Sequence, residues 1–148
     1  MNNIGVKIKK LDDRAVVPTY GSSEAAGADL YAVLDESLEI KAGESVQVHT
    51  GISMEMPKGV VGLIYARSGL GCKKGLAPAN KVGVIDSDYR GEIIVVLHNH
   101  SNETRIVENG DRVAQMVFAP YYFAEFTEVE ELADTNRGEG GFGSTGKS

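Results

Sequence analysis

Two acids and a tyrosine lie close together in residues 83–92, which read GVIDSDYRGE. The carboxylates of Asp86 and Asp88 stand at a predicted turn between apolar residues, and Tyr89 follows directly. A carboxylate held at such a turn can act as a general base towards water, and a tyrosine ring can pack against a sugar. The pattern predicts a β-hairpin that carries these side chains, and a solvated acidic turn is the alternative.

Residues 67–71, RSGLG, combine an arginine and a serine with two glycines where a strand is predicted to end. A short helix from 68 to about 74 is predicted to follow, with Ser68 as its N-cap. The free N–H groups at the start of a helix, together with the Arg67 guanidinium, can bind an anion such as phosphate. A helix cap with a surface arginine explains the same residues without a ligand.

Two polar side chains are embedded in apolar sequence. Residues 112–117 alternate, which predicts that Val113, Gln115 and Val117 share one strand face. If that face is buried, the Gln115 amide needs a partner, which a ligand, a neighbouring subunit or an adjacent strand can supply. Asp29 stands beside a predicted close-packed turn, where it can reach Mg²⁺ through water or cap the turn.

Residues 134–148 are rich in glycine and contain Phe142 as their single large apolar side chain. They cannot form a core, so this segment is predicted to be mobile without a ligand. Residues 141–148 match the P-loop pattern G-x-x-x-x-G-K-[ST], but that loop works only between a strand and a helix. The sequence predicts neither flanking element, so a P-loop fold is not expected.

The chemistry of this segment still suits a phosphate chain. Its backbone N–H groups, including that of Gly143, and the hydroxyls of Ser144 and Thr145 can donate to phosphate oxygens. Arg137 offers a planar guanidinium for a terminal phosphate, and Phe142 can stack on a base. The competing interpretation is a disordered tail that only adds solubility.

Strands must position these groups, because period-two alternation dominates the chain. The alternating or continuously apolar runs are residues 6–8, 38–40, 46–48, 52–56, 60–66 and 93–97. Turns with Gly and Pro separate the runs, which predicts an all-β sandwich or barrel with one short helix. The change of composition near Asp134 divides the chain into a β domain, 1–133, and a C-terminal lid, 134–148.

The composition of the 148 residues narrows the classes of function. A formal net charge of −6 argues against a nucleic-acid binder, which needs a basic surface. No apolar run is long enough to cross a bilayer, and the N-terminus lacks the apolar region of a secretory signal. Cys72 is the single cysteine, so no internal disulfide can form, and a cytoplasmic location is expected.

Five segments, in this order, resemble the five motifs of the trimeric dUTP diphosphatases. They are AGADL from 26, RSGLG from 67, GVIDSDYRGEI from 83, RVAQMVF from 112 and RGEGGFGSTG from 137. The resemblance implies a distorted jelly-roll, the dUTPase-like β-clip, and a homotrimer whose active sites lie between subunits. It also implies hydrolysis of dUTP to dUMP and pyrophosphate with Mg²⁺ as cofactor, which supplies dUMP for thymidylate synthesis and keeps uracil out of DNA.

The resemblance further implies a role for each matching residue. Asp86 would orient the attacking water and contact the 3′-OH, Tyr89 would pack under the sugar and exclude a 2′-OH, and Asp29 would reach Mg²⁺ through water. Base recognition is implied for Asn80, Val84, Ile85, Asp86 and Ile94. Phosphate binding is implied for Arg67, Ser68, Gly69 and Gln115. Closure of a neighbouring subunit's site is implied for Arg137, Phe142, Gly143, Ser144 and Thr145.

Two other functions remain open. The dCTP deaminases share this fold, but their relatives carry a proton-transferring Glu where Val96 stands here. A nucleotide-responsive regulator that binds a protein partner would favour an added surface segment, and the sequence offers none that can be identified. Selective hydrolysis of dUTP separates both functions from that of a diphosphatase.

Overall fold

The computed structural model describes residues 3–142, which form strands joined by turns and one short helix. In chain order the strands are β1 (Lys7–Lys10), β2 (Thr19–Tyr20), β3 (Ala28–Tyr31), β4 (Leu38–Ile40), β5 (Ser45–His49), β6 (Ile52–Glu55), β7 (Val60–Tyr65), β8 (Leu76–Pro78), β9 (Gly83–Ile85), β10 (Ile94–Asn99), β11 (Arg105–Val107) and β12 (Arg112–Pro120). The helix is a π-helical segment, Gly69–Lys74, between β7 and β8. The predicted all-β class with one short helix is confirmed.

The strands pair antiparallel in four sheets. The largest sheet has the order β2-β3-β12-β7-β9, a second has the order β5-β10-β8, and β1-β6 and β4-β11 form two small pairs. Most partners are distant in sequence, and β12 joins β3 to β7 at the centre of the largest sheet. This interleaving of sheets around a shared core is the arrangement expected of a distorted jelly-roll.

The core is filled by the inward-facing residues of the alternating strands. In β10, the buried residues Val95, Leu97 and Asn99 alternate with half-buried neighbours. The large apolar side chains that are almost completely buried include Leu30, Ile40, Ile52, Leu76, Ile93, Leu97 and Met116. Each such burial contributes about 1.5–3 kcal/mol to the free energy of unfolding. The runs 60–66 and 93–97, apolar on both faces, keep one face half exposed in a single chain.

The hairpin predicted for residues 83–92 is wrong. β9 pairs with β7, whereas β10 pairs with β5 and β8, so the chain between them crosses from one sheet to another. The Ile93 N–H donates to the Ile52 carbonyl at 2.8 Å, which draws the chain towards the β5–β6 turn before β10 begins. A loop that links two sheets therefore carries Asp86 and Tyr89.

Pairing between distant strands overrides two local signals. Asp29, expected beside a close-packed turn, follows the bend at residues 26–27 but lies within strand β3, which β2 and β12 pair from both sides. The register of β12 shifts at Val113, and this bulged residue turns into the core with 1% exposure. Val113 consequently does not share a face with Gln115, whereas Val117 continues the regular ladder from Gln115.

The short helix lies where it was predicted, but the Ser68 side chain makes no capping hydrogen bond. Ser68 has helical angles, φ −56° and ψ −43°, whereas a capping serine adopts an extended conformation to reach the first N–H groups. Gly75 ends the helix in the left-handed region, with φ 72°, and its N–H donates to the Leu70 carbonyl. Among residues 3–142, no helix has the length and apolarity needed to span a bilayer.

Asn99 is the polar centre of the core and links the β4–β11 pair to β10. Its Nδ2 donates to the carbonyls of Ile40 at 2.8 Å and Glu103 at 2.7 Å. Its Oδ1 accepts from the Ser101 N–H at 3.0 Å and the Ser101 hydroxyl at 2.7 Å. Because Asn99 is 0% exposed, water cannot replace these bonds if the amide is removed.

Asn99→Ala is expected to lower the free energy of unfolding by about 3 kcal/mol, since it leaves several buried polar groups without partners. The measurement is urea-induced unfolding at one fixed protein concentration. Asn102→Ala, in the exposed neighbouring turn, is the control and should change stability little. Equal effects of the two substitutions would contradict the structural role given to Asn99.

Candidate functional site

The residues predicted to bind phosphate converge because β12 pairs with β3 on one side and with β7 on the other at the same level. Gln115 stands opposite Asp29 of β3 and opposite Tyr65 of β7. Arg67 follows the end of β7, and its Nε donates to Asp29 Oδ1 at 2.7 Å. Arg112 reaches the same carboxylate, with Nη1 3.4 Å from Oδ2. Strand register thus gathers side chains that are far apart in sequence.

This cluster combines a buried acid with two cationic groups, the half-buried Arg67 and the exposed Arg112. Asp29 is 7% exposed, and a carboxylate at that depth needs cationic partners to remain charged. The two arginines outnumber the one acid, so the cluster carries a net positive charge. Arg67 and Arg112 line a cleft of about 300 Å³ together with Gly69 and Lys74. The cleft therefore offers several cations and a glycine backbone to an anion.

Gln115 has found its partner within the chain. Its Nε2 donates to the carbonyl of Ala66 at 2.9 Å, directly before Arg67. The amide oxygen lies over Gly27, where a Cβ atom would collide with it. Gly27 is thus required for the Gln115 amide to lie beside Arg67.

Asp86 and Tyr89 lie on the exposed loop that follows β9. The Tyr89 hydroxyl donates to the Glu92 carbonyl at 3.0 Å, and its ring lies so close to Gly91 that a Cβ there would collide. Arg90 closes the loop by donating from Nη1 to two carbonyls of the same turn, at 2.8 and 3.1 Å. The loop presents a carboxylate and an aromatic ring, which suit a water molecule and a sugar.

β9 is an edge strand of the largest sheet within the described residues, and its Val84 is 62% exposed. The backbone groups of an edge strand can pair with the hydrogen-bonding edge of a base. Asn80 lies beside this strand, with Nδ2 3.5 Å from the position of a Cβ at Gly83. Ile94 lies on β10 in another sheet, opposite His49, so one chain does not place it with Val84.

Two groups of candidate residues lie towards opposite ends of β7 within one chain. One is the loop with Asp86 and Tyr89, and the other is the cluster of Asp29, Arg67 and Arg112. β9 runs antiparallel to β7 with Ile85 opposite Gly62, so Asp86 falls level with Val61, and both line a cleft of about 780 Å³. Arg67 lies six residues beyond Val61, which is about 20 Å for an extended chain at roughly 3.3 Å per residue. The cleft that contains Asp86 and the cleft that contains Arg67 share no lining residue.

Residues 121–142 leave the domain without forming a strand or a helix. Several of their large apolar side chains are almost fully exposed, namely Tyr122, Phe123, Phe126, Leu132 and Phe142. Arg137 bonds within this segment, from Nε to the Gly140 carbonyl at 2.6 Å. The predicted site residues Gly143, Ser144 and Thr145 lie outside the described residues.

Arg112 is the site residue that sequence reasoning missed. In a regular strand, residues three apart point to opposite faces, which would separate Arg112 from Gln115. The bulge at Val113 adds one residue, so Arg112 pairs with Tyr31 and Gln115 with Asp29 on the same face. No sequence signal marks that bulge, although the position of Arg112 in the same segment as Gln115 was an available hint.

The family model described as dUTPase matches residues 13–146. The chain belongs to the dUTPase family. Its relatives include the deoxyuridine 5′-triphosphate nucleotidohydrolase of Desulfitobacterium hafniense, 51% identical over 100% of both chains. The nucleotidohydrolase of Nautilia profundicola is also 51% identical, over 96% of this chain and 99% of that protein. As a member of this family, the chain is a hydrolase of nucleotide metabolism that acts on dUTP.

Solved dUTPases share the fold. A mutant dUTPase of Staphylococcus bacteriophage 80alpha with dUpNHpp has a TM-score of 0.87 at 26% identity, and the match covers 97% of this chain and 99% of that one. A mutant dUTPase from phage phi11 of S. aureus, described as revealing the coordination of a structural Mg(II) ion, has a TM-score of 0.79 at 23% identity. That match covers 88% of this chain and 99% of the phage protein. The dUTPase-like jelly-roll implied by the five sequence segments is confirmed.

Gly27→Ala is expected to lower kcat/KM for dUTP by about 10- to 100-fold, because the added methyl group displaces the Gln115 amide. The midpoint of thermal unfolding should fall much less than it would for a core substitution. The control is Gly21→Ala in the preceding turn, where nothing lies within 4 Å of the added Cβ. Full activity of Gly27→Ala would show that the position of Gln115 is unimportant.

Proposed function

We propose that the chain hydrolyses dUTP to dUMP and pyrophosphate in active sites that subunits of a homotrimer share. The observation that carries the proposal is the separation of Asp86 from Arg67 along β7. A single chain has the residues suited to a sugar and a base, around Asp86, at one end of the strand. The residues suited to phosphate, around Arg67, lie at the other end. A nucleoside triphosphate can contact both clusters when two copies bring opposite ends together.

Asp86 is the proposed catalytic residue. Its exposed carboxylate orients a water molecule for in-line attack on the α-phosphorus and contacts the 3′-OH of the sugar. The Tyr89 ring packs under the deoxyribose and excludes a 2′-OH by steric contact, and the bond from its hydroxyl to the Glu92 carbonyl keeps the ring in that position. The backbone of Val84 and Ile85 pairs with uracil together with Asn80. Ile94, on a neighbouring strand of the assembled site, assists in recognising the base.

The triphosphate is proposed to lie on the cationic cluster of a second copy. Arg67, Ser68, Gly69 and Gln115 hold phosphate oxygens there, since phosphoryl transfer depends chiefly on positioning and charge neutralisation. The lid, residues 134–148, closes the site of a neighbouring subunit. Its proposed contacts are Arg137, Phe142, Gly143, Ser144 and Thr145.

Mg²⁺ is proposed as a cofactor that the substrate carries. The described residues include no group of three or more His, Cys, Asp or Glu side chains placed to hold a metal ion, and Asp29 already engages two arginines. This donor set fits an ion that keeps several waters and is held mainly by phosphates, with Asp29 reaching it through water. The bound ion would neutralise charge on the triphosphate.

The apolar outer face of the largest sheet supports assembly. Across β12 and β7, Val117 pairs with Leu63 and Ala119 with Val61, and Val84 of β9 stands opposite Leu63. These residues share the outer face and are half-buried or exposed in one chain, while the residues between them face the core. Apolar sheet faces of this kind are typically covered by another subunit.

The position of Val96 favours a diphosphatase over a deaminase. Val96 lies half-buried on β10 opposite Gln47, and an apolar side chain there cannot shuttle a proton. We place the enzyme in the cytoplasm because Cys72 is free and exposed, which suits a reducing compartment.

Mixed trimers test both the function and the sharing of sites. Asp86→Asn and Arg67→Ala homotrimers should each release little pyrophosphate from dUTP, while Asp86→Asn keeps the fold and binds the nucleotide. Co-expression with two different tags and purification on both yields trimers that contain both variants. If each site takes Asp86 and Arg67 from adjacent subunits, every mixed trimer retains one intact site, so about one third of wild-type activity is expected.

The control for this experiment is a mixture in which both changes lie in one chain and the other chain is wild type. Mixed trimers of the two single variants that remain as inactive as the homotrimers would place Asp86 and Arg67 in one subunit. A wild-type enzyme that hydrolyses UTP or dCTP as fast as dUTP would overturn the proposed substrate.

Deletion of residues 134–148 is expected to leave a folded trimer with little dUTP hydrolysis, because the lid supplies phosphate contacts but no part of the core. Sedimentation measures the oligomeric state, and pyrophosphate release measures activity. Replacement of Arg137 alone by Ala in the full chain is the milder companion variant. A truncated enzyme with full activity would show that the segment is only a tail.

A further inference from the structure

We infer that Glu92 is a positioning residue that holds Tyr89 in place and so sharpens the preference for deoxyribose over ribose. This inference rests on the proposed role of Tyr89 at the sugar. Glu92 does not touch the nucleotide in this scheme. It acts through the loop between β9 and β10, and its effect is therefore on substrate selection rather than on the chemical step.

Glu92 connects the loop to the rest of the protein through its backbone carbonyl and its side-chain carboxylate. Its backbone carbonyl accepts from the Tyr89 hydroxyl at 3.0 Å. Its carboxylate accepts from the Gly51 N–H at 2.9 Å through Oε1, and Oε2 lies 2.9 Å from His49 Nδ1. A continuous chain of hydrogen bonds thus runs from the sugar-facing ring to the β5–β6 turn.

The turn at Gly51 is a rigid anchor. Gly51 has φ 65°, a left-handed conformation that favours glycine, and it is buried. A Cβ at this position would meet the side chains of Ala15 at 3.0 Å and Val33 at 3.2 Å, so the turn has room for glycine but not for a larger residue. The Gly51 carbonyl accepts from the Leu11 N–H at 2.7 Å. Without Glu92, the buried Gly51 N–H would lose its acceptor.

The nearest alternative acid is already engaged. Asp12 packs close to Gly51, but its carboxylate accepts from Arg14 Nε at 3.0 Å and Nη2 at 2.7 Å. These hydrogen bonds from Arg14 hold the pKa of Asp12 at about 2, well below its usual range. Asp12 therefore remains bonded to Arg14, and Glu92 is the carboxylate that binds the Gly51 N–H.

Between Asp86 and Arg90 the loop makes only local bonds, and its bonds to the β5–β6 turn begin at Glu92. The Tyr89 N–H donates to the Asp86 carbonyl at 3.1 Å, and Arg90 bonds only to carbonyls of the same turn. Such bonds fix the shape of the turn but not its orientation relative to the two sheets it links. The orientation is set at the far end of the loop, where the Glu92 carboxylate bonds to Gly51 beside the backbone bond from the Ile93 N–H to the Ile52 carbonyl. Asp86 on the same turn benefits less because it lies at the end that β9 already holds.

The test compares kcat/KM for dUTP and UTP in Glu92→Ala, Glu92→Gln and a control, Glu39→Ala, an exposed acid on β4. Glu92→Ala is expected to lower the ratio of the two kcat/KM values by about 10-fold, the loss expected for one hydrogen bond to a charged group. Glu92→Gln keeps an oxygen acceptor for the Gly51 N–H and should restore most of the ratio. Glu39→Ala should match the wild type.

Hydrogen exchange of the Gly51 amide supplies a readout that does not involve turnover. Exchange should be slow in the wild type and Glu92→Gln and at least about 10-fold faster in Glu92→Ala. Faster exchange with an unchanged dUTP/UTP ratio would overturn the inference and leave Glu92 a structural residue. If Glu92→Ala does not fold, Glu92→Asp, whose shorter side chain cannot reach both partners, takes its place with the same two outcomes.

A double-mutant cycle with Tyr89→Phe separates this inference from the function on which it rests. If Glu92 acts through the Tyr89 hydroxyl, the effect of Glu92→Ala on the ratio should largely disappear in the Tyr89→Phe background. Additive effects would overturn the inference. A wild-type enzyme without preference for dUTP would instead refute the role of Tyr89, while the Gly51 amide would still report on the anchor.

Discussion

The double pairing of β12, with β3 on one side and β7 on the other, is the constraint on which the proposed phosphate-binding half depends. It places Asp29 where a guanidinium must accompany it, since a carboxylate at that depth is costly without a cation. Arg67 is therefore held by the fold before any ligand arrives, and its guanidinium keeps donors for phosphate oxygens. Such preorganisation avoids the loss of side-chain entropy that binding to a free arginine would entail.

The proposed sugar-binding half obeys a different constraint, because no strand ladder supports the loop between β9 and β10. Its order comes from glycines at two contacts and from hydrogen bonds of single side chains. Gly91 allows the Tyr89 ring to fold back, and Gly51 adopts the conformation that turns its N–H towards Glu92. One half of the proposed site is thus built on sheet register, and the other on a braced crossover between sheets.

The alternation of apolar residues was enough to predict most strands and the all-β class, because half-buried strands repeat every two residues. What it missed depends on pairing between distant segments. Asp29 was expected beside a turn, and only the pairing with β2 and β12 shows that it lies within a strand. The bulge at Val113 and the crossover after Ile85 likewise follow from tertiary pairing, which a local pattern does not encode.

The candidate site likewise has residues that the sequence could predict and contacts that it could not. The residue types in the five segments, and their resemblance to a known family, named Asp86, Arg67 and Gln115 as candidates. Their partners could not be named, because the Arg67 contact to Asp29 spans 38 residues and the Gly51 contact to Glu92 spans 41. Contacts of that range are set by which distant strands pair and by how the sheets meet, and the chain offers no periodic signal for them.

The exposed aromatic side chains of residues 121–142 have a consequence for the life of the protein in the cell. Before assembly, a chain presents Tyr122, Phe123 and Phe126 on a segment that has no strand or helix to resist cleavage. Proteolytic cleavage concentrates in exposed segments of this kind, so a solitary chain is most open to cleavage here. A partner subunit that covered these aromatic side chains would remove that exposure, so the assembled protein would resist cleavage where the single chain does not.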